Sequence, residues 1–161
     1  MRSIVLGSMA AVLMGAPPLP AHPKVTATKA VEEVSGPALR AAAAVDAFHA
    51  ALRRGDQKAA AALLAEDAVI FESGGVERTK AEYAASHLPA DAEFSRNVSS
   101  VVTHRIGASQ GASAWIASEG RTAGTYKGKA VDMLTAETMI LRRMREGWRI
   151  VHVHWSSAAA H

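Results

Sequence analysis

The order of the residues predicts an α+β fold, on three observations. Apolar positions recur at helical spacing between residues 37 and 87, and at period two from residue 96 onward. The breaks between the later segments, Gly107–Gly111, Gly124–Gly128 and Arg145-Glu146-Gly147, are short and turn-like. Consecutive strands with such connections pair as an antiparallel meander, and helices gathered before them cover one face of it. The expected architecture is three helices around one short strand, followed by a long four-stranded sheet.

The first helix starts at Ser35-Gly36-Pro37, a capping residue followed by a proline placed where its missing N–H costs nothing. Leu39, Ala42, Val45, Phe48 and Leu52 form its apolar face, and Arg53-Arg54-Gly55 ends it with cations and a glycine. Asp56 caps a second helix expected to run to about Glu66. Asp67 to Glu72 alternates as a strand, and Ser73-Gly74-Gly75 breaks it. Thr79-x-x-Glu82 is a capping box, so a third helix should reach His87, ahead of Pro89. Strands follow over residues 96–106, 112–122, 131–144 and 148–156.

The chain has 161 residues, 49% of them apolar and 20% charged, which suits one globular domain. Arg2 and the apolar run Ile4 to Ala16 read as a secretory signal ending near Ala21, too short to span a bilayer comfortably. The expected division is a signal peptide over 1–21, a flexible leader over 22–34, one domain over 35–157 and a tail over 158–161. A bacterial periplasm or exterior is the expected address. Loss of residues 1–21 removes Arg2 and no acid, so the formal charge falls only from +3 to +2. That balance points to neither nucleic acid nor a membrane surface as partner. Without cysteine, the fold has no disulfide, and a metal would take N, O or Met sulfur ligands.

Chemistry concentrates in the last strand. In Trp148-Arg149-Ile150-Val151-His152-Val153-His154-Trp155, strict alternation puts Trp148, Ile150, His152 and His154 on one face. A turn centred on Glu146-Gly147 would set Leu141 opposite His152 and Met139 opposite His154. Glu137 would then lie diagonal to His154 on the same face. Trp115 and Trp155 are expected on the opposite, outer face, where large apolar residues mark a homodimer contact.

Four stretches resemble the nuclear transport factor 2-like superfamily, in particular its polyketide-cyclase (SnoaL)-like and secreted bacterial branches. They are Phe48 to Asp56, Leu64 to Val69, Phe71 to Gly75, and Glu137 to Ser157 with its Trp-Arg-Ile-Val-His-Val-His-Trp-Ser-Ser ending. The resemblance implies a cystatin-like roll: a cone-shaped, curved antiparallel sheet with three helices over its concave face and a pocket between them. It also implies frequent dimers, and activities ranging from isomerases, cyclases and hydrolases to no catalysis at all. The Asp, Tyr and protonated acid of ketosteroid isomerase-like members have no counterpart here, since the first helix offers Phe48 and His49 and the later strands Glu119 and Glu137. The Asp-Arg-Asp set of epoxide-hydrolase members is not found either.

If the face bearing Trp148 and Ile150 is concave, His152 and His154 floor the pocket. The functional expectation is a small-molecule-binding domain, with a hydrolase, isomerase or cyclase that uses a histidine as general base as its catalytic form. In that reading His152, His154 and Glu72 are catalytic, and Tyr83, His87, Glu137, Met139 and Ile150 line the pocket. Three imidazoles and a carboxylate, His87, His152, His154 and Glu72, alternatively suit Zn or Cu. A third reading is a non-catalytic dimerisation domain.

Overall fold

The computed structural model of the protein describes residues 31–160, so the expected signal peptide and most of the leader lie outside the described residues. One seven-stranded, curved and unclosed sheet carries four helices on one face. In chain order the elements are β1 (Val31–Val34), α1 (Ala38–Arg54), α2 (Gln57–Ala62), β2 (Leu64–Glu72), β3 (Gly75–Glu77), α3 (Lys80–Ala85) and α4 (Leu88–Asn97). The meander follows as β4 (Val98–Gln110), β5 (Ser113–Tyr126), β6 (Lys129–Met144) and β7 (Gly147–Ala159). The strand order is β1-β4-β5-β6-β7-β2-β3, antiparallel through β4 to β7, with β1 parallel to β4 and β2 parallel to β7.

The α+β class, the meander and the helical cover are as the sequence predicts. Details differ, beginning with α2, which ends at Ala62 rather than near Glu66, so that β2 starts at Leu64 instead of Asp67. Residues 31–34, expected in the flexible leader, add strand β1 to the sheet edge, and β7 continues to Ala159, into the expected tail. The expected break at Ser73-Gly74 is a two-residue turn with positive φ at both positions, which closes the β2–β3 hairpin. Pro89 does not simply end a helix: it occupies the first turn of α4, where a proline is tolerated, so the described residues form four helices where three were expected.

Helix α1 anchors the core. Its C-terminus closes on Gly55, whose φ of 72° only glycine adopts without strain. Its buried stripe is Ala38, Ala41, Ala42, Val45, Phe48, Ala51 and Leu52, so Leu39 is turned outward, against expectation. The stripe packs on Ile116, Met139, Leu141, Ile150 and Val153 of the sheet, with Tyr83 and Leu88 closing one end. Among the described residues no helix is long and apolar enough to cross a membrane.

Candidate functional site

The expected histidine floor is displaced by one residue of β7. Leu141 pairs with Ile150, but its neighbour Ile140 pairs with His152, so Val151 is an extra residue in a β-bulge. A bulge reverses the inward and outward alternation beyond it. Trp148 and Ile150 therefore face the core as expected, and so do Val153 and Trp155. His152 and His154 emerge on the outer face of the sheet. Trp155, expected outside, enters the cavity instead.

The other expected residues separate as well. Met139 and Ile150 are fully buried core, and the buried Tyr83 stands behind the cavity wall. His87 is more than half exposed and pairs through Nδ1 with the buried carboxylate of Glu77. Of the candidates, Glu72 and Glu137 line the cavity. The set His87, His152, His154 and Glu72 does not converge, and among the described residues no three His, Asp or Glu side chains gather in a metal-holding arrangement.

The cavity itself encloses about 250 Å³ between α1, α4 and the concave faces of β4 to β7. At its centre, Glu137 of β6 lies directly opposite Trp155 of β7. The indole Nε1 donates to Glu137 Oε2 at 2.7 Å, and His49 Nε2 of α1 meets the same oxygen at 2.7 Å. Burial works to raise the Glu137 carboxyl, but the charge His49 carries when it is protonated, the His49 and Trp155 hydrogen bonds and the Arg105 charge outweigh it and hold it below the usual range. An ionised carboxylate only accepts, so His49 Nε2 carries a proton and Nδ1 is the nitrogen left to take up another. Phe48 stacks on Trp155 with centroids 6.3 Å apart and meets His49 edge-on at 5.7 Å, which fixes both rings.

The two ends of the cavity differ in charge. At one, buried Arg105 donates to Asp46 Oδ1 at 2.7 Å and to Ser118 Oγ at 3.1 Å. At the other stand Glu72 and Asp91. Tyr83 donates its hydroxyl to Asp91 Oδ2 at 2.7 Å, and burial keeps that phenol protonated. Burial raises Asp91, with the Tyr83 hydrogen bond and the His87 charge opposing and Glu77 assisting. Burial also raises Glu72, reinforced by the charges of Asp91 and Glu77. A raised carboxyl favours the protonated native state, so this contribution is full below the ordinary carboxylate range and is lost as pH rises through the raised value. Asp91→Asn, a mimic of the protonated form, should therefore raise the melting temperature at pH 7 by roughly 2–4 °C, the response to about 1 kcal/mol. The gain should shrink toward pH 4 in thermal melts; a gain independent of pH would contradict the raised pKa.

The SnoaL-like domain family matches residues 41–160, most of the chain. The chain belongs to this family of the nuclear transport factor 2-like superfamily. Among solved structures, a candidate ketosteroid isomerase from Shewanella frigidimarina is 34% identical to this SnoaL-like chain, with a TM-score of 0.71 over 79% of it and 100% of the other. A candidate dehydratase of the NTF2-like family from Streptomyces avermitilis is 21% identical, with a TM-score of 0.66 over 76% and 96% of the two chains. A candidate calcium/calmodulin-dependent protein kinase II association domain from Xanthomonas campestris is 24% identical, with a TM-score of 0.66 over 77% and 89%. The last two likenesses concern the fold alone. No curated protein matches the chain.

Sequence reasoning missed His49, Trp155, Asp91 and Arg105 as cavity residues of this SnoaL-like domain. For α1 a signal existed. Asp46, His49 and Arg53 are spaced three and four apart, a polar stripe beside the apolar one, and all three line the cavity.

Proposed function

We propose that the cavity is a general acid–base site that moves a proton next to the carbonyl of a small ligand, in an isomerase- or dehydratase-type reaction. His49 is the base, oriented by Glu137, which Trp155 holds in turn. A raised carboxyl, Asp91 or Glu72, is the group that donates a proton to the substrate oxygen. The single observation that supports the reading most is the oxygen shared by His49 and Trp155 on a nearly buried Glu137. An imidazole steered by an ionised carboxylate is a recurring device for activating a base. The volume, just below the usual range for small-molecule pockets, suits a small ligand. The Shewanella relative at 34% identity is a candidate ketosteroid isomerase, which agrees with proton transfer at carbon.

The test is a panel of small ketones and β-hydroxy ketones in D₂O, followed by NMR for deuterium exchange at the α carbon and for loss of water. Exchange catalysed by the native protein and lost in His49→Gln is the expected result. Equal exchange by both proteins would refute the assignment.

A second reading, assembly through the outer sheet face, is favoured by exposed apolar residues there. Trp115 and Ile140, cross-strand partners, are each 41% exposed, and Phe71 is 43% exposed. Such a patch marks an interaction surface. The association domain from Xanthomonas and a hub domain from S. rosetta share the fold. Sedimentation equilibrium should give a dimer mass that Trp115→Lys reduces to the monomer's; a monomer at every concentration would dismiss the reading.

A further inference from the structure

The bulge that removes His152 and His154 from the cavity delivers them together to the outer face. Two cross-strand rows run through them there: Trp115, Ile140, His152 and Val69, then Ala117, Thr138, His154 and Phe71. Neither row contains a charged residue. The Phe71 ring stands edge-on to both imidazoles, with centroids 5.2 Å from His152 and 6.4 Å from His154.

The tautomer of the neutral His152 ring follows from one contact. Its Nδ1 lies 3.1 Å from the carbonyl oxygen of Val69. A carbonyl only accepts, so Nδ1 carries the proton, and in the neutral ring Nε2 is the nitrogen with the lone pair. A ring proton tied to a backbone carbonyl is the arrangement that orients metal-binding histidines. His154, two residues on, projects from the same face and is exposed. The pair thus offers neutral nitrogen donors, the ligands that Zn(II) and Cu(II) prefer.

Two nitrogens fill only half of a tetrahedral site, and among the described residues no third His, Asp or Glu of the same chain joins them. The pair lies between Trp115 and Ile140 on one side and Phe71 on the other, in the middle of the exposed apolar patch. In a two-fold dimer the middle of a self-complementary patch meets its own copy. We propose that His152 and His154 form half of a Zn(II)-binding site that the same pair from a second copy completes. The proposal rests on the outer-face assembly described above, and it gives that assembly a metal dependence which burial of apolar surface alone would not supply.

The experiment uses the untagged protein, stripped with EDTA, in a calorimetric titration with ZnCl₂ and in sedimentation equilibrium with and without the metal. The expected result is one Zn(II) per two chains and at least a tenfold tighter dimer with Zn(II), with both effects lost in His154→Ala and in His152→Ala. His49→Gln, altered only in the cavity, should bind Zn(II) as the native protein does. Binding of one ion per chain without a change in mass would overturn the bridging site, as would binding untouched by His154→Ala. A dimer that persists in EDTA and ignores ZnCl₂ overturns the metal site while leaving the assembly standing. A monomer under every condition overturns both.

Discussion

Glu137→Gln is expected to lower turnover on a responsive carbonyl substrate by roughly 10²–10⁴-fold, the range that a positioned general base contributes. The carboxylate does not touch the substrate in this reading; it sets the tautomer and aim of His49. The loss should therefore fall on kcat, with KM nearly unchanged. Trp155 Nε1 and His49 Nε2 already share one oxygen of Glu137, so an amide at position 137 can still accept from both, but it removes the negative charge that steers the imidazole and puts two N–H groups where the native side chain offers only acceptors. His49→Gln should lose as much by itself, and the double variant scarcely more, because the two side chains act as a unit. Losses that multiply in the double variant would show that they act separately. The same substitution has a pH signature in stability. Glu137 is held below the usual carboxylate range, so its stabilising contribution is in place above that range and is lost as pH falls through the depressed value. The stability gap between native and Glu137→Gln should accordingly narrow in acid.

How far the sequence disclosed this arrangement depended on the scale of the signal. The meander was legible because period-two runs bounded by Gly-containing turns extend over many residues, and because burial of one face enforces the alternation. Within that frame Glu72 and Glu137 came out on the cavity side. The bulge at Val151 was not legible: the run from Ile150 to Trp155 contains no glycine or proline, and from Val151 onward it alternates without interruption. What decides the bulge is the tertiary requirement that both Ile150 and Val153, three residues apart, be buried under the helices. One inserted residue then exchanged the roles of His154 and Trp155, which moved the imidazoles outside and the indole in. Pro89 was ambiguous in a different way. The residue that stops one helix also suits the first turn of the next, and Asp91 in that turn favours the second outcome. Once α3 and α4 are separate, Tyr83 and His87 no longer share a helical face, and Tyr83 turns inward to Asp91 while His87 remains at the surface with Glu77.

Phe48→Ala is the substitution expected to cost most stability, about 3–5 kcal/mol, the usual range for truncating a fully buried phenylalanine. That cost combines lost transfer free energy with the cavity left behind, and the second part depends on whether neighbours can move in. Around Phe48 they cannot. On the buried stripe of α1 its neighbours are Val45, Ala51 and Leu52, of which Ala51 has no reach and Val45 and Leu52 are themselves held in the core, and the rest of the stripe is alanine. The aromatic face left bare would be that of Trp155, which Phe48 stacks against at 6.3 Å. The cleft would thus open directly behind the indole that holds Glu137, so fold and site should weaken together. Urea unfolding should show a lowered midpoint with an unchanged slope, and Phe48→Leu should recover more than half of the loss. A cost below about 1 kcal/mol would mean that the helix collapses onto the sheet without this ring, and that His49 and Trp155 hold their positions by some other packing.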